Sequence, residues 1–223
     1  NYRAKKYTLI LSNHATGIID IGQARAINPS QLFTFNPTTN MIELNRSLPF
    51  LEFIASPNNQ RGICFDDITG HYLSNRQLDF ALKTICTNCI KGKFESIIFD
   101  ACLQQMYEIA LLLKPYANIM MGSQEVILAP GLDYHAVLKP FENKKIEHKS
   151  FAIHIVESYE NTYKKITNDY TFSAVDLTAL NLLENNINIV ATLLIEGLKN
   201  KKSNFIKDAI KTSRNKQLCT HFE

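Results

Sequence analysis

The chain has 223 residues, 45% of them hydrophobic and 20% charged, with a net charge of +3. This is ordinary globular composition, and it excludes a disordered, collagenous or coiled-coil chain. The small positive excess does not suggest nucleic acid, which calls for a clustered basic face. No apolar run reaches the roughly 18 residues of a membrane span; the most apolar stretch, Ile187 to Leu198, is interrupted by Asn188, Thr192 and Glu196. Five cysteines are an odd count in a chain large enough to build its own core, so no disulfide framework is expected. Residues 1–6 carry no signal-peptide pattern, and localisation is not legible.

Tyr7 to Leu11 is a β-branched and aromatic run, predicted as a buried strand entering Ser12-Asn13-His14. Pro29, Pro37, Pro49 and Pro57 mark a long, irregular excursion, with residues 23–61 as an insertion. A hairpin is expected within it, around Leu32–Phe35 and Met41–Leu44. Gly62 to Phe65 reads as a second strand, ending in Asp66-Asp67. Ser74-x-x-Gln77 has the form of a capping box, and Leu78, Ala81, Leu82 and Ile85 follow at helical spacing until Gly92. Ser96 to Phe99 predicts a third strand ending in Asp100-Ala101-Cys102, and a helix is expected from Cys102 to Lys114, stopped by Pro115. Asn118 to Met121 predicts a fourth strand, ending in Gly122-Ser123-Gln124-Glu125. The last third, from residue 150, reads as helical: Phe151–Lys164, a long or broken helix over Ser173–Lys199, and a short one over Asn204–Thr212. The apolar face of the second is expected to run through Val175, Leu177, Leu180, Leu183, Ile187, Val190 and Leu194.

Strands separated by helices predict an α/β fold in a single domain, with a mostly parallel sheet and helices on both faces. Ligands in such sheets sit at the carboxyl ends of the strands. Here those ends carry His14, Asp66-Asp67, Asp100 with Cys102, and Ser123 with Glu125. A cysteine at a helix N-terminus has its thiolate stabilised by free N–H groups, so the Cys102 pKa is expected to fall. His14 would complete a Cys–His nucleophile pair. The alternative is that Cys102 is a small buried hydrophobe. Cys86-x-x-Cys89 has zinc or redox spacing but lacks two further ligands, so two partly buried helix thiols are expected. Cys64 is expected in the core, and Cys219 in a tail. Asp66-Asp67 suits either a cation or a loop cap.

The block Ile98-Phe99-Asp100-Ala101-Cys102, with Met106, Glu108 and Ala110, then Ser123-Gln124-Glu125, Pro130-Gly131 and Tyr134, resembles the clostripain family of cysteine peptidases. That family belongs to the caspase-like group. Tyr7 to Leu11 with His14 and Gly17 resembles the family's catalytic-histidine strand and loop. Gly62 to Asp67 resembles its next strand, and Tyr170-Thr171-x-Ser173-Ala174-x-Asp176-Leu177 a later block. The ordered similarity spans most of residues 7–198. It implies a caspase-like αβα sandwich.

Carried over by residue, the resemblance implies Cys102 as nucleophile and His14 as general base and acid. It implies an oxyanion site from the N–H groups of Cys102 and the loop at Ala15. Asp100 and Asp133 fall at acidic positions of the pocket for the residue before the cut, which would select Arg or Lys, with Ser123 and Glu125 on its wall. The implied partner is a peptide or protein substrate. Self-cleavage after Arg61 or Arg46, ahead of Arg25, is also implied. No cofactor is called for; some relatives use calcium, but the chain has no dense carboxylate loop. Ala15 stands where the family usually has Gly, and the family's first core strand would fall before residue 1. These departures leave a peptide- or protein-binding relative without activity as the competing reading.

Overall fold

A computed structural model describes residues 4–17, 33–45, 62–66, 68–69, 71–142 and 146–215. Its central sheet has four strands: β1 (Thr8–Ser12), β6 (Phe94–Asp100), β7 (Ala117–Gly122) and β8 (Ser173–Asp176), in that spatial order. The first three are parallel and β8 is antiparallel to β7. The sheet is therefore mostly parallel, as expected. Residues 173–176, expected as the start of a helix, form this strand instead. Ser173, Val175 and Asp176 pair along β7, and a hydrogen-bonded edge outcompetes the weak helical preference of a Ser- and Val-containing segment.

Two small sheets flank it. β2 (Phe33–Asn36) and β3 (Met41–Leu44) form the hairpin expected inside the excursion, with Asn40 at φ 56 in its turn. β4 (Gly62–Ile63) and β5 (Leu73–Ser74) form another short antiparallel pair. The capping box is present: Ser74 receives the Gln77 N–H and Gln77 answers the Ser74 N–H, opening α1 (Asn75–Thr84). A π-helical turn, Ile85–Ile90, extends it, and Lys91 in the left-handed conformation ends it.

Helices cover both faces of the sheet. On one face, Ile98, Ile119 and Met121 pack with Phe151, Ala152, Ile155, Tyr159 and Tyr163 of α4 (His148–Tyr163). Alternation sends Ile97, Phe99 and Met120 to the other face, where they are equally buried and where α2 (Tyr107–Leu113) lies against β7. Truncating Ile97, Phe99 or Met120, or Ile98, Ile119 or Met121 opposite, to Ala would cost about 2–5 kcal/mol each. The short α3 (Tyr134–Leu138) completes the first layer through Val137.

The chain separates into two compact units, Asn1–Thr178 and Ala179–Glu223. The second is a pair of helices, α5 (Leu180–Lys199) and α6 (Ser203–Asn215). Of the face expected on α5, Leu180 is buried, whereas Leu183, Ile187, Val190 and Leu194 are 38–56% exposed. A two-helix pair has too few partners to enclose a full apolar stripe.

Candidate active site

β1 and β6 run parallel in register, with Ser12 opposite Asp100. His14 and Cys102 each lie two residues past that last pair. Two cross-links hold the register at this end: the Asn13 N–H donates to the Asp100 carbonyl, and the Ser12 hydroxyl to Asp100 Oδ2, each at 3.4 Å. Farther on, Gly17, at φ +62, passes so close to the cysteine loop that a Cβ there would lie 2.3 Å from the Leu103 carbonyl oxygen and 2.6 Å from Met106 Sδ. The loop after the histidine and the loop after the cysteine are thus packed against each other. Gly17 is glycine because both its backbone angle and this contact exclude a side chain.

His14 is exposed, and its carbonyl accepts the Cys64 N–H at 3.0 Å. The Thr16 N–H donates to Gly62 at 3.3 Å, so that Ala15 bridges Ile63. In such a bridge the flanking residues make the bonds, and the N–H of the bridged residue turns away from the partner. Ala15 is buried and is not among the positive-φ residues, so a Cβ in place of the family's usual glycine carries no backbone strain here. Cys64, expected mid-strand in the core, lies past β4 at φ 60 and is only half-buried.

Cys102 does not start a helix, contrary to expectation. Cys102 and Leu103 form a turn, Leu103 takes the left-handed conformation at φ 59, and α2 begins only at Tyr107. The expected helix-dipole stabilisation of a thiolate is therefore absent at Cys102, since that effect fades beyond the first turn. Its thiol pKa is raised, not lowered. Burial is the main cause, and the charges of Glu125 and Asp100 add to it. The Ile127 N–H, 3.5 Å from Sγ, and the Cys102 backbone oppose the rise only in part.

The turn is held from three sides. The Leu103 N–H donates to the Glu125 carbonyl at 3.2 Å, the Gln105 N–H to Ser123 at 2.9 Å, and the Gln105 side-chain amide to Ser173 at 3.2 Å. Ser123 is fully buried; its hydroxyl meets Thr171 Oγ1 at 2.8 Å and receives the Glu125 N–H at 3.1 Å. It braces the loop that carries Glu125, and its hydroxyl is not presented to solvent.

Asp100 is buried, at 6% exposure, and engages three neutral donors. The Leu132 N–H reaches Oδ1 at 3.1 Å; the Tyr134 hydroxyl at 2.8 Å and the Ser12 hydroxyl at 3.4 Å reach Oδ2. Gly131, at φ +64, runs across this carboxylate, and a Cβ on it would lie 2.4 Å from Oδ1. The Gly131 carbonyl in turn accepts the Tyr163 hydroxyl at 2.6 Å. Asp133 is exposed and caps α3 by accepting the Ala136 N–H at 3.0 Å. Burial pushes the Tyr163 phenol up to about 12, and the charges of Asp100 and Asp133 both add to the rise, so the two carboxylates act on one buried group.

Three contributors escaped the sequence reading. Ser12 read as the first residue of a polar loop, Tyr134 as a family motif residue without a role, and Gln105 fell unremarked inside the helix expected from Cys102 to Lys114. Tyr134 next to Asp133, a helix-capping type, is the one detectable signal, because it fixes where the phenol starts relative to α3.

The remaining candidates lie elsewhere. Asp66 caps its own turn through Ile68 and Thr69, with its pKa lowered chiefly by the Thr69 hydroxyl. Cys86 and Cys89 sit in the π-helical turn, Cys86 half-buried and Cys89 exposed rather than partly buried. Asp67, Arg46, Arg61 and Cys219 lie outside the described residues.

The clostripain family model matches residues 54–220, a span that includes Cys102 and begins after His14. No curated protein matches the chain. Among solved structures, the chain is similar to a secreted C11 cysteine protease from Bacteroides thetaiotaomicron in complex with an irreversible peptide inhibitor. The identity is 21% and the TM-score 0.52, over 82% of this chain and 42% of that one. It is also similar to an inactive zymogen C11 protease from Parabacteroides distasonis, at 21% identity and a TM-score of 0.47, over 82% of this chain and 37% of that one. The chain thus spans less than half the length of these relatives. The first likeness shows a shared fold, the caspase-like αβα sandwich. With well over half of its residues matched by the family model, the chain belongs to the clostripain family of cysteine peptidases.

Proposed function

We propose that this chain carries the catalytic dyad of a cysteine endopeptidase that cuts after Arg or Lys, with Cys102 as nucleophile and His14 as base and acid. The observation that carries this reading is the register of β1 on β6, which brings both residues two positions past one paired strand end. The contact of Gly17 with Leu103 and Met106 supports it.

The raised Cys102 pKa makes the thiol, not the thiolate, the resting form at neutral pH. The reaction therefore begins with proton transfer. His14 takes the Sγ proton as sulfur attacks the scissile carbonyl carbon, and the oxyanion forms against the N–H groups of Cys102 and Ala15. His14 then gives the proton to the leaving amine, which departs and leaves a thioester on Cys102. Water, deprotonated by His14, hydrolyses that thioester. General-base assistance of this kind contributes about 10²–10⁴-fold.

Asp100 supplies the buried negative charge for a basic side chain preceding the cut, with Asp133 as a second, outer carboxylate. Glu125 borders the nucleophile, and Ser123 braces it from behind. Arg61 and Arg46 are the proposed sites of self-cleavage. The proposed reaction uses no cofactor.

The test is turnover of fluorogenic peptides ending in Arg, Lys, Asp, Asn or Leu, by wild type and Cys102→Ala, with and without calcium. The reading predicts turnover after Arg and Lys alone, abolished in Cys102→Ala. A second reading, a peptide-binding relative without turnover, is favoured by the raised thiol; it predicts binding of basic peptides with no product from either protein.

A further inference from the structure

The count of donors on Asp100 bears on which basic residue the pocket prefers. A carboxylate offers about four lone-pair positions, two on each oxygen. Oδ2 already receives two hydroxyls, from Tyr134 at 2.8 Å and Ser12 at 3.4 Å. Oδ1 receives one N–H, from Leu132 at 3.1 Å. One position remains, on Oδ1. An arginine fork needs one position on each oxygen, whereas a lysine ammonium needs only one.

We propose that Tyr134 is a specificity-determining residue: its hydroxyl occupies Asp100 Oδ2 and biases the site toward lysine over arginine. This rests on Asp100 being the specificity carboxylate. Three features make the occupancy durable. Tyr134 is the first residue of α3, directly after the capping Asp133, so its backbone is fixed. The phenol stays protonated and donating across the working range, since burial and the Asp100 bond push its pKa up to about 12. Gly131 and Leu132 hold the carboxylate from the other side, so it cannot turn freely to offer a fresh edge. Tyr134 itself is 38% exposed, so its ring is reachable from solvent. The Ser12 bond, at 3.4 Å, is the weaker of the two on Oδ2 and the easier to displace.

The experiment compares kcat/KM for three peptides that differ only in the residue before the cut: Lys, Arg or Gln. The proteins are wild type, Tyr134→Phe, Ser12→Ala and Asp100→Asn. Wild type is expected to favour Lys. Tyr134→Phe frees a position on Oδ2 and is expected to move the Arg-to-Lys ratio toward Arg by about tenfold, through KM and not kcat, with the Gln peptide unchanged. Ser12→Ala is expected to move it the same way by a smaller factor. An Arg-to-Lys ratio unchanged in Tyr134→Phe, whatever Ser12→Ala does, while Asp100→Asn removes the preference for basic peptides over Gln, overturns this proposal and leaves the pocket reading standing. A basic preference that survives Asp100→Asn overturns the pocket reading, and this proposal with it.

Discussion

Gly17→Ala tests the packing of the loops after His14 and Cys102 most sharply. The added Cβ would start 2.3 Å from the Leu103 carbonyl oxygen, a backbone atom, and 2.6 Å from Met106 Sδ. Ordinary contact begins near 3.4 Å, so the His14 loop and the Cys102 loop must part by about 1 Å. Met106 can swing aside, but the Leu103 carbonyl cannot, because the Leu103 N–H and Gln105 N–H are anchored to Glu125 and Ser123. The left-handed angle adds roughly 1–2 kcal/mol of strain for a residue with a side chain. Overpacking adds typically 1–3 kcal/mol, so a total stability loss of about 2–5 kcal/mol is expected from urea unfolding. A 1 Å displacement between nucleophile and base costs about 10²-fold, so kcat should fall by about that factor on a basic peptide under conditions where the variant remains folded. A Gly17→Ala protein that keeps kcat within threefold of wild type would refute the claim that these loops set the dyad geometry.

Other consequences follow from the same geometry. Gly131→Ala forces a Cβ to 2.4 Å from Asp100 Oδ1, so the Asp100 carboxylate must move. KM for Lys and Arg peptides should rise at least tenfold, with little change for a Gln peptide, as steady-state kinetics will show. Ser123→Ala removes a buried hydroxyl that braces the Glu125 N–H and leaves Thr171 Oγ1 without that partner; a loss of about 1–3 kcal/mol is expected in urea unfolding. Alkaline stability is set by tyrosines. Tyr116, Tyr134 and Tyr163 are each pushed from 10 up to about 12, burial first, and Tyr159 is raised as well. The folded state then binds more protons than the unfolded state between those values. The contribution of these tyrosines is complete below pH 10 and is lost as pH rises toward 12. A melting temperature that stays flat from pH 9 to pH 12 would contradict this, and Tyr116→Phe should reduce the slope.

The sheet was legible because its signals are local. Short apolar runs ended by polar clusters marked β1, β6 and β7, and the Ser74 capping box marked α1. The strand ends that make up the candidate site were legible for the same reason, since strand ends in a parallel sheet are where ligands sit. What escaped was non-local. Ser173–Asp176 became a strand because an edge of β7 was available, and nothing within the segment announces that edge. The Cys102 turn looked helical because Leu103, Met106, Ile109 and Leu113 fit helical spacing. The left-handed angle of Leu103 is imposed by Glu125 and Ser123, some twenty residues away in the chain. The sign of the Cys102 pKa shift failed with it, because it depended on a helix start that lies at Tyr107. Tyr134 and Ser12 acquire their significance only where β1 and the residue 131–134 loop meet on one carboxylate.

The pairing of Cys102 with His14 is best tested by labelling. Among the described cysteines, Cys64, Cys86 and Cys102 are half-buried and Cys89 is exposed, so general reactivity alone would favour Cys89 among these four. A lysine-terminated peptide carrying a thiol-directed electrophile should instead place one adduct, on Cys102, read by mass spectrometry after digestion. The His14→Ala protein should lose that adduct by at least 10²-fold in rate while its reaction with a small general alkylating agent at Cys89 is unchanged. An adduct confined to Cys86 or Cys89, or Cys102 labelling that is indifferent to His14→Ala, would contradict the dyad.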